Sequence, residues 1–280
     1  MGILFALLSV FGASLTTSID RLNIKRNRIS AQREMFLVFL AMSTSLLLFV
    51  VFTHQRFPSL SLPAFALMAS IVLISFAANT CDYLSIKAND LSLREPLTDF
   101  EPIAAGLIGY VAFPAERKPA FLIALLLSMM IVYWGTHRRK LRKFQARGMF
   151  FLLLAVFLEG MLPSLYKLTL TYLSPAYITL FRVVVILVLV QIFHPKTKKS
   201  KLTPKNLSYG LLSGIACSMG AVTALYAIGS LGVVVTMLLM LLGPFVRYSA
   251  AYFVMKEKVR KGEVASSLLL AGTVITSVLK

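Results

Sequence analysis

Four carboxylic acids stand inside apolar stretches of the chain, and they are the residues best placed to do chemistry. They are Asp82, Asp99, Glu101 and Glu159. A charge within a membrane-spanning helix costs roughly 2.5 to 3.5 kcal/mol on insertion scales, so such a residue tends to be kept for a function. Glu159 lies near the centre of its apolar run, which predicts a position near the bilayer midplane, where a carboxylate can carry a proton. A hydrogen-bonded structural carboxylate is the alternative interpretation.

Glu101 is notable because it directly precedes a proline. Pro102 cannot donate a backbone hydrogen bond and so interrupts the helix nearby, and broken helices often mark substrate sites in transporters. Asp99 and Glu101 are two residues apart, so on one helix they point about 200° from each other. We expect Glu101 to face a cavity and Asp99 to face the interface. If the helix begins later, both are solvated.

The elements that must position these acids are ten long apolar runs. The chain of 280 residues is 58% hydrophobic and 14% charged, which is too apolar for a water-exposed surface. The runs are Gly2 to Ile19, Met35 to Phe52, Leu62 to Leu84, Leu97 to Phe113, Ala120 to Gly135, Met149 to Leu170, Tyr177 to Phe193, Leu207 to Ile228, Leu231 to Met255 and Val264 to Leu279. Each approaches the ~20 residues that cross a bilayer as a helix, and backbone amides in lipid must be paired internally. The sequence therefore predicts an all-α integral membrane protein with ten transmembrane helices.

The basic residues predict the orientation. The formal net charge is +18, and 22 lysines and arginines fall in the loops of one predicted face, against four on the other. Basic loops are typically cytoplasmic, which places both termini outside. Such loops meet anionic lipid headgroups, so the charge favours the lipid bilayer as partner and not a nucleic acid. We expect a multi-pass protein of the cell inner membrane.

The two halves of the chain, 1–140 and 141–280, are similar in layout. Asp82-Tyr83-Leu84 leads to Pro102 and Glu116 in the first half, and Ala224-Leu225-Tyr226 leads to Pro244 and Glu257 in the second. The proline-to-glutamate spacing is 14 residues in one and 13 in the other. Because each half has an odd number of helices, a tandem duplication is inverted in the membrane. The sequence predicts two inverted five-helix repeats.

This layout resembles the EamA family of the drug/metabolite transporter superfamily. The resemblance is strongest in the second half, where Ala224-Leu225-Tyr226-Ala227 is followed by Pro244-Phe245, Lys256-Glu257-Lys258, Gly262 and the run from Leu268 to Gly272. It implies a ten-helix fold with a central cavity between two EamA-like repeats, and secondary transport by alternating access. Members of this family are usually drawn with both termini in the cytoplasm, whereas the charges here predict the opposite.

The repeat and the resemblance together suggest which polar residues meet. The fourth and ninth helices are related by the duplication, so Glu101 and Arg247 can face each other, as a gate or as a clamp for a zwitterion. Arg182 and Lys167 are two further bases within apolar runs. An alternative interpretation of Arg182 is an anchor whose side chain snorkels to the membrane interface. The resemblance places several polar or aromatic residues around the cavity. These are Asn79, Asp82, Tyr83, Tyr166, Tyr226 and Tyr248.

The leading functional hypothesis is a secondary transporter of a small polar organic metabolite, such as an amino acid, with coupling to protons as an option. No Walker-type glycine loop is present, which disfavours an ATP-driven pump. An integral membrane enzyme acting on a lipid or prenyl substrate is the alternative, although the sequence has no Asp-rich or Gly-x-Ser-x-Gly motif. A non-transporting scaffold would leave Glu101 and Glu159 unexplained. We expect no cofactor, no metal site and no catalytic residues, a small-molecule substrate, and a monomer or homodimer.

Overall fold

The computed structural model of this protein is built from α-helices. It describes residues 1–26, 29, 31–55, 57–58, 61–88, 97–137, 146–193, 203–253 and 261–278. Its helices, in chain order, are α1 (Gly2–Arg26), α2 (Ala31–Phe52), α3 (Leu62–Ala88), α4 (Phe100–Ala112), α5 (Pro119–His137), α6 (Ala146–Thr169), α7 (Pro175–Phe193), α8 (Pro204–Leu231), α9 (Val233–Met240), α10 (Gly243–Phe253) and α11 (Lys261–Val278). A single 3-10 turn, Pro114–Glu116, joins α4 to α5.

The helices account for all ten apolar runs of the sequence. Six are long and apolar enough to cross a membrane, namely α1, α2, α3, α6, α7 and α8. Four shorter apolar stretches complete the set, in α4, α5, the pair α9 and α10, and α11. Large apolar side chains such as Phe65, Phe150 and Ile192 are more than half exposed, as expected for a surface that contacts lipid. The prediction of a helical, multi-pass membrane protein is confirmed.

Two of the predicted helices differ from their apolar runs. The ninth run is not one helix, because α9 ends at Met240, two residues form a turn, and α10 begins at Gly243. Pro244 lies in the first turn of α10, where its missing N–H is tolerated. The fourth helix begins at Phe100 and not at Leu97, so that Asp99 precedes it. We refer to α9 and α10 together as the broken helix.

The pairs of helices that pack together follow the same pattern when each helix is replaced by the one at the same place in the other half. Helix α1 packs along α8, and α6, which has the same place in the second half, packs along α3. In the same way, α2 packs on α8 and α7 packs on α3. Helix α4 packs on α6 as the broken helix packs on α1. Three further close pairs, α2 with α7, α4 with α9, and α5 with α11, join helices that hold the same place in the order of each half.

Small residues on α8 bring two other helices close to it. A Cβ added at Gly214 would stand 2.4 Å from the Cβ of Ala41 on α2, and one at Gly210 would stand 2.8 Å from the Cβ of Leu37. A Cβ on Gly12 of α1 would stand 2.8 Å from the Cα of Gly220. Contacts this close need glycine, as is common where membrane helices pack. They hold α1 and α2 beside α8, and the polar ends of α1 and α2 are thereby brought together.

Candidate functional site

Three adjoining cavities lie among the helices, and Glu159 lines all of them. The main cavity has a volume of about 380 Å³ and is bounded by α1, α4, α6 and the broken helix. The Glu34 cavity, of about 310 Å³, lies between α1, α2 and α3. The Arg182 cavity, of about 160 Å³, lies between α6, α7 and α8. Glu159 is near the middle of α6, so one carboxyl group lies where the three cavities meet.

Glu101 is an acidic neighbour of Glu159. It lines the main and Arg182 cavities, and its carboxyl group is within hydrogen-bonding reach of the Glu159 carboxyl group. Two carboxyl groups can hydrogen bond only if one of them carries a proton, because an ionised carboxylate accepts and does not donate. This pair can therefore hold a proton between α4 and α6.

Asp99 and Arg247 form an ion pair that links α10 to the start of α4. The Arg247 guanidinium donates to Oδ1 of Asp99, which is 8% exposed. Both Asp99 and Glu101 line the main cavity, so the expectation that only one of them faces it is wrong. An angle of 200° between the two side chains is expected only if both residues lie on one helix, whereas Asp99 precedes the first residue of α4. Arg247 and Glu101 both line the main cavity, as expected of residues that face each other across it.

Arg182 and Tyr166 form a second polar pair, between α7 and α6. Arg182 donates to the Tyr166 hydroxyl, and its guanidinium carbon is 5.6 Å from the centre of the Tyr166 ring. Both residues line the Arg182 cavity, and Arg182 also lines the Glu34 cavity. The interior position argues against a snorkelling anchor at the membrane surface.

The other predicted site residues divide into two groups. Asp82 lines the main and Glu34 cavities, and Asn79 lines the Glu34 cavity while its amide donates to the backbone oxygen of Ser75 at 2.7 Å. Neither Tyr226 nor Tyr248 lines any of these three cavities. The ring of Tyr226 stacks on Phe5 with centroids 5.2 Å apart, and Tyr248 is half-buried on α10. The side chain of Tyr83 lies outside the described residues.

Sequence reasoning missed an acidic pair formed by the end of α1 and the start of α2. Asp20 accepts a hydrogen bond from the Ser213 hydroxyl. Glu34 accepts one from the Asn23 amide at 2.6 Å through Oε2, and Asn23 also donates to the backbone oxygen of Asn206 at 3.1 Å. The hydropathy runs ended at Ile19 and restarted at Met35, so both acids were assigned to a loop. Both acids lie inside because α1 continues past its apolar run to Arg26, and α2 begins before its own run, at Ala31.

A buried carboxylate outside these cavities has a structural role. Glu116, 9% exposed, accepts the backbone N–H groups of Val233 at 3.1 Å and Val234 at 2.7 Å. It also accepts a hydrogen bond from Lys167 at the end of α6. An acid at a helix N-terminus satisfies otherwise unpaired N–H groups and complements the helix dipole. Glu116 thus caps α9.

Comparison with known proteins agrees with this geometry. The model of the EamA-like transporter family matches residues 146–279. No curated protein matches. A solved structure described only as "Crystal structure of protein" shares 11% sequence identity and a TM-score of 0.72, with 97% of this chain and 96% of that chain covered, which shows a common fold. The second half of this chain is therefore similar to the EamA-like transporter family.

Proposed function

We propose that this protein is a secondary transporter that moves a small polar organic metabolite, an amino acid or a related solute, by alternating access with coupling to protons. The observation that carries the proposal is the position of Glu159, which lines all three cavities and lies beside Glu101. A carboxyl pair in a low-dielectric site can gain and lose a proton as its surroundings change. That is the property required of a coupling group.

The dimensions and polar groups of the main cavity support a small solute. A volume of about 380 Å³ lies within the usual range for small-molecule sites. Carboxylates and a guanidinium face it from α4, α6 and α10. Such groups can orient a solute that carries both an amino and a carboxyl group.

Alternating access is supported by the packing pattern. Exchanging the halves 1–140 and 141–280 preserves the main helix pairs, which is expected of two inverted repeats that rock against each other. The start of α4 at Glu101-Pro102 and the start of α10 at Gly243-Pro244 both line the main cavity. Interrupted helices in corresponding positions of two halves are typical of transporter binding sites.

The proposal is tested by replacing Glu159 in protein reconstituted into liposomes. Glu159→Gln keeps the size and hydrogen bonding of the side chain but removes titration. We expect it to elute from size exclusion as the wild type does, and to lose the acceleration of amino-acid uptake by a pH gradient. Glu159→Asp keeps a titratable group and serves as the matched control, for which the pH response should persist. Wild-type pH dependence in the Gln variant would show that Glu159 is only structural.

Orientation and location are proposed from the charge of the loops. We infer that the protein lies in the inner membrane with both termini outside the cytoplasm, because 22 basic residues fall on one face and four on the other. A reporter fused after Lys280 should be active outside the cytoplasm. Cytoplasmic activity of the same fusion would show that the usual orientation of the family holds here.

A further inference from the structure

We propose that the carboxyl groups of Asp20 and Glu34 form a second proton-binding site, from which protons reach Glu159 through water in the Glu34 cavity. This inference rests on the proposed function, because it supplies the Glu101–Glu159 pair with protons from one face of the membrane. The sequence singled out neither Asp20 nor Glu34. The ligand of the site is the proton itself, so the site is separate from any solute site in the main cavity.

Asp20 and Glu34 are hydrogen bonded to each other where the end of α1 meets the start of α2. Glu34 is 2% exposed, so bulk water does not screen the charge of the pair. Two buried carboxylates in contact repel each other, and neither can donate a hydrogen bond unless one of them is protonated. The Asp20–Glu34 pair therefore holds one proton, as the contacting carboxyl groups of aspartic proteases do.

The other contacts of the pair leave one oxygen of Glu34 for this proton. The Ser213 hydroxyl donates to Oδ1 of Asp20, and the Asn23 amide donates to Oε2 of Glu34 at 2.6 Å. Among the described residues, no protein donor reaches Oε1 of Glu34. Protonating Oε1 breaks no existing hydrogen bond and makes this oxygen a donor, so Oε1 is the atom that carries the proton at least cost.

The Glu34 cavity joins the pair to Glu159, and its unpartnered polar atoms suit water. Besides Oε1 of Glu34, the hydroxyl of Ser75 and Nε of Arg182 have no partner in the described part of the chain, and all three residues line this cavity. The Nε–H of arginine only donates, whereas a hydroxyl both donates and accepts. Water satisfies such a mixed set because it also does both, and a cavity of about 310 Å³ holds several water molecules.

The pair lies nearer than Glu159 to the predicted face that carries the 22 basic residues, which we call the basic face. Asp20 is about 9 Å along α1 from its end at Arg26, and Glu159 is about 20 Å along α6 from its start at Ala146. The sequence places both helix ends on the basic face. A proton that moves from the pair to Glu159 thus travels about 10 Å inward, which corresponds to about four hydrogen bonds of ordinary length.

Further titratable groups face the cavity from every helix that borders it. Beyond the pair on α1 and α2, they are Asp82 on α3, Glu159 on α6, Arg182 on α7 and Cys217 on α8. Arg182 donates to the Tyr166 hydroxyl and lies near Glu159, which balances part of its charge. With carboxyl groups on α1, α2, α3 and α6, a proton that leaves the pair meets further acceptors on the way to Glu159.

The shared proton is tested by infrared difference spectroscopy of the purified full-length protein at pH 7. A protonated carboxyl group gives a carbonyl-stretch band that shifts in heavy water and that an ionised carboxylate lacks. We expect Glu34→Gln and Asp20→Asn to lose the same part of this band, because either amide donates to the remaining carboxylate in place of the proton. Glu116→Gln is the matched control and should leave the band unchanged, since Glu116 is also buried but accepts backbone N–H groups and the Lys167 ammonium. A band that either variant of the pair leaves intact overturns the shared proton.

The delivery of protons is tested by amino-acid uptake into liposomes driven by a pH gradient. Asp20→Asn and Glu34→Gln should each slow this uptake by at least about tenfold, because a positioned proton donor is lost. Ser75→Ala should slow it by roughly threefold, because it removes one hydrogen-bonding group from the path. Ser128→Ala is the control, since Ser128 is likewise buried without a partner for Oγ among the described residues but lines none of the three cavities. Uptake at the wild-type rate in the cavity variants overturns the path, and if one variant of the pair does not fold, the other and the two serine variants decide.

The two measurements separate the proton site from the proposed function. A shared proton in a protein that takes up no solute supports the site and overturns the transporter proposal. Uptake driven by a pH gradient in a protein without the shared band overturns the site and leaves the transporter in place. Loss of the band together with slower uptake in the same variants supports both.

Discussion

Glu116 and Glu34 are both buried carboxylates, and they differ in how their oxygens are satisfied. Glu116 accepts two backbone N–H groups and a lysine ammonium. For Glu34, the Asn23 amide donates to Oε2, Oε1 has no protein donor among the described residues, and the Asp20 carboxyl group lies beside it. The comparison indicates that burial alone does not identify a functional acid. An acid whose hydrogen bonds are complete within the protein stabilises the fold, whereas an incomplete one is available to a ligand.

The two acids also differ in the helices that they contact. Gly232 directly precedes α9, and its φ of 86° and ψ of 174° are a conformation that suits glycine alone. Glu116 caps the helix that begins after it. The chain turns there because the cap and the glycine act together. Glu34 lies in the first turn of α2, where its contacts run to α1, and it terminates no other helix. Stability should therefore depend strongly on Glu116 and weakly on Glu34.

The largest effect is expected for Glu116→Ala. This change leaves the N–H groups of Val233 and Val234 and the Lys167 ammonium without their acceptor, and should reduce the free energy of unfolding by roughly 3 kcal/mol. The measurement is the unfolding midpoint in a mixed-micelle titration with sodium dodecyl sulfate. An unchanged midpoint would mean that the cap contributes nothing and that the contrast with Glu34 is wrong.

Gly232→Ala should give the next largest loss. A Cβ at this position would stand 2.5 Å from Oε1 of Glu116, and the backbone conformation itself is unfavourable for alanine, so we expect a cost of about 2 kcal/mol. Gly272→Ala on α11 is the control, because no atom lies within 4 Å of its added Cβ. If both variants unfold at the same midpoint, the turn after α8 is not constrained by the cap.

Glu34→Gln should change stability in the opposite direction. Replacing a buried carboxyl group whose hydrogen bonds are incomplete should leave the free energy of unfolding unchanged or raise it by about 1 kcal/mol. The same titration measures this effect beside that of Glu116→Ala. A loss as large as that for Glu116 would place both acids in the same structural class.

Lys167→Met tests how much of the stabilisation by Glu116 comes from its ion pair with Lys167. The Lys167 side chain is 29% exposed and its ammonium lies 4.2 Å from the centre of the Phe113 ring. Partial exposure screens the pair, so we expect a loss of only about 0.5 to 1 kcal/mol. A cost equal to that of Glu116→Ala would show that the lysine, and not the backbone N–H groups of α9, provides most of the stabilisation.

The sequence predicted the helices well and the site in part. Apolar runs near 20 residues located the six candidate membrane spans of the described residues and the shorter apolar helices, since length and lack of charge are the physical requirement for crossing lipid. They did not show that the ninth run is interrupted, because leucines and valines continue through the turn at Leu241. Glu101, Glu159 and Asp82 were chosen because they are charged within apolar runs, and all three line cavities. Tyr226 was chosen by resemblance and packs against Phe5 instead.

What the sequence by itself determined is that the chain crosses the membrane repeatedly as helices, with basic loops and a few acids held inside. It also carried enough of the family pattern in residues 146–279 for the family to be recognised. Only the tertiary structure decided which acids meet. In lipid the inward and outward faces of a helix are both apolar, so hydrophobic periodicity does not reveal which side of a helix faces the interior. Asp20 meets Glu34 beside the close packing at Gly214, and Glu101 meets Glu159 beside the close packing of Gly160 on Ala104. These contacts join helices that are distant in the sequence.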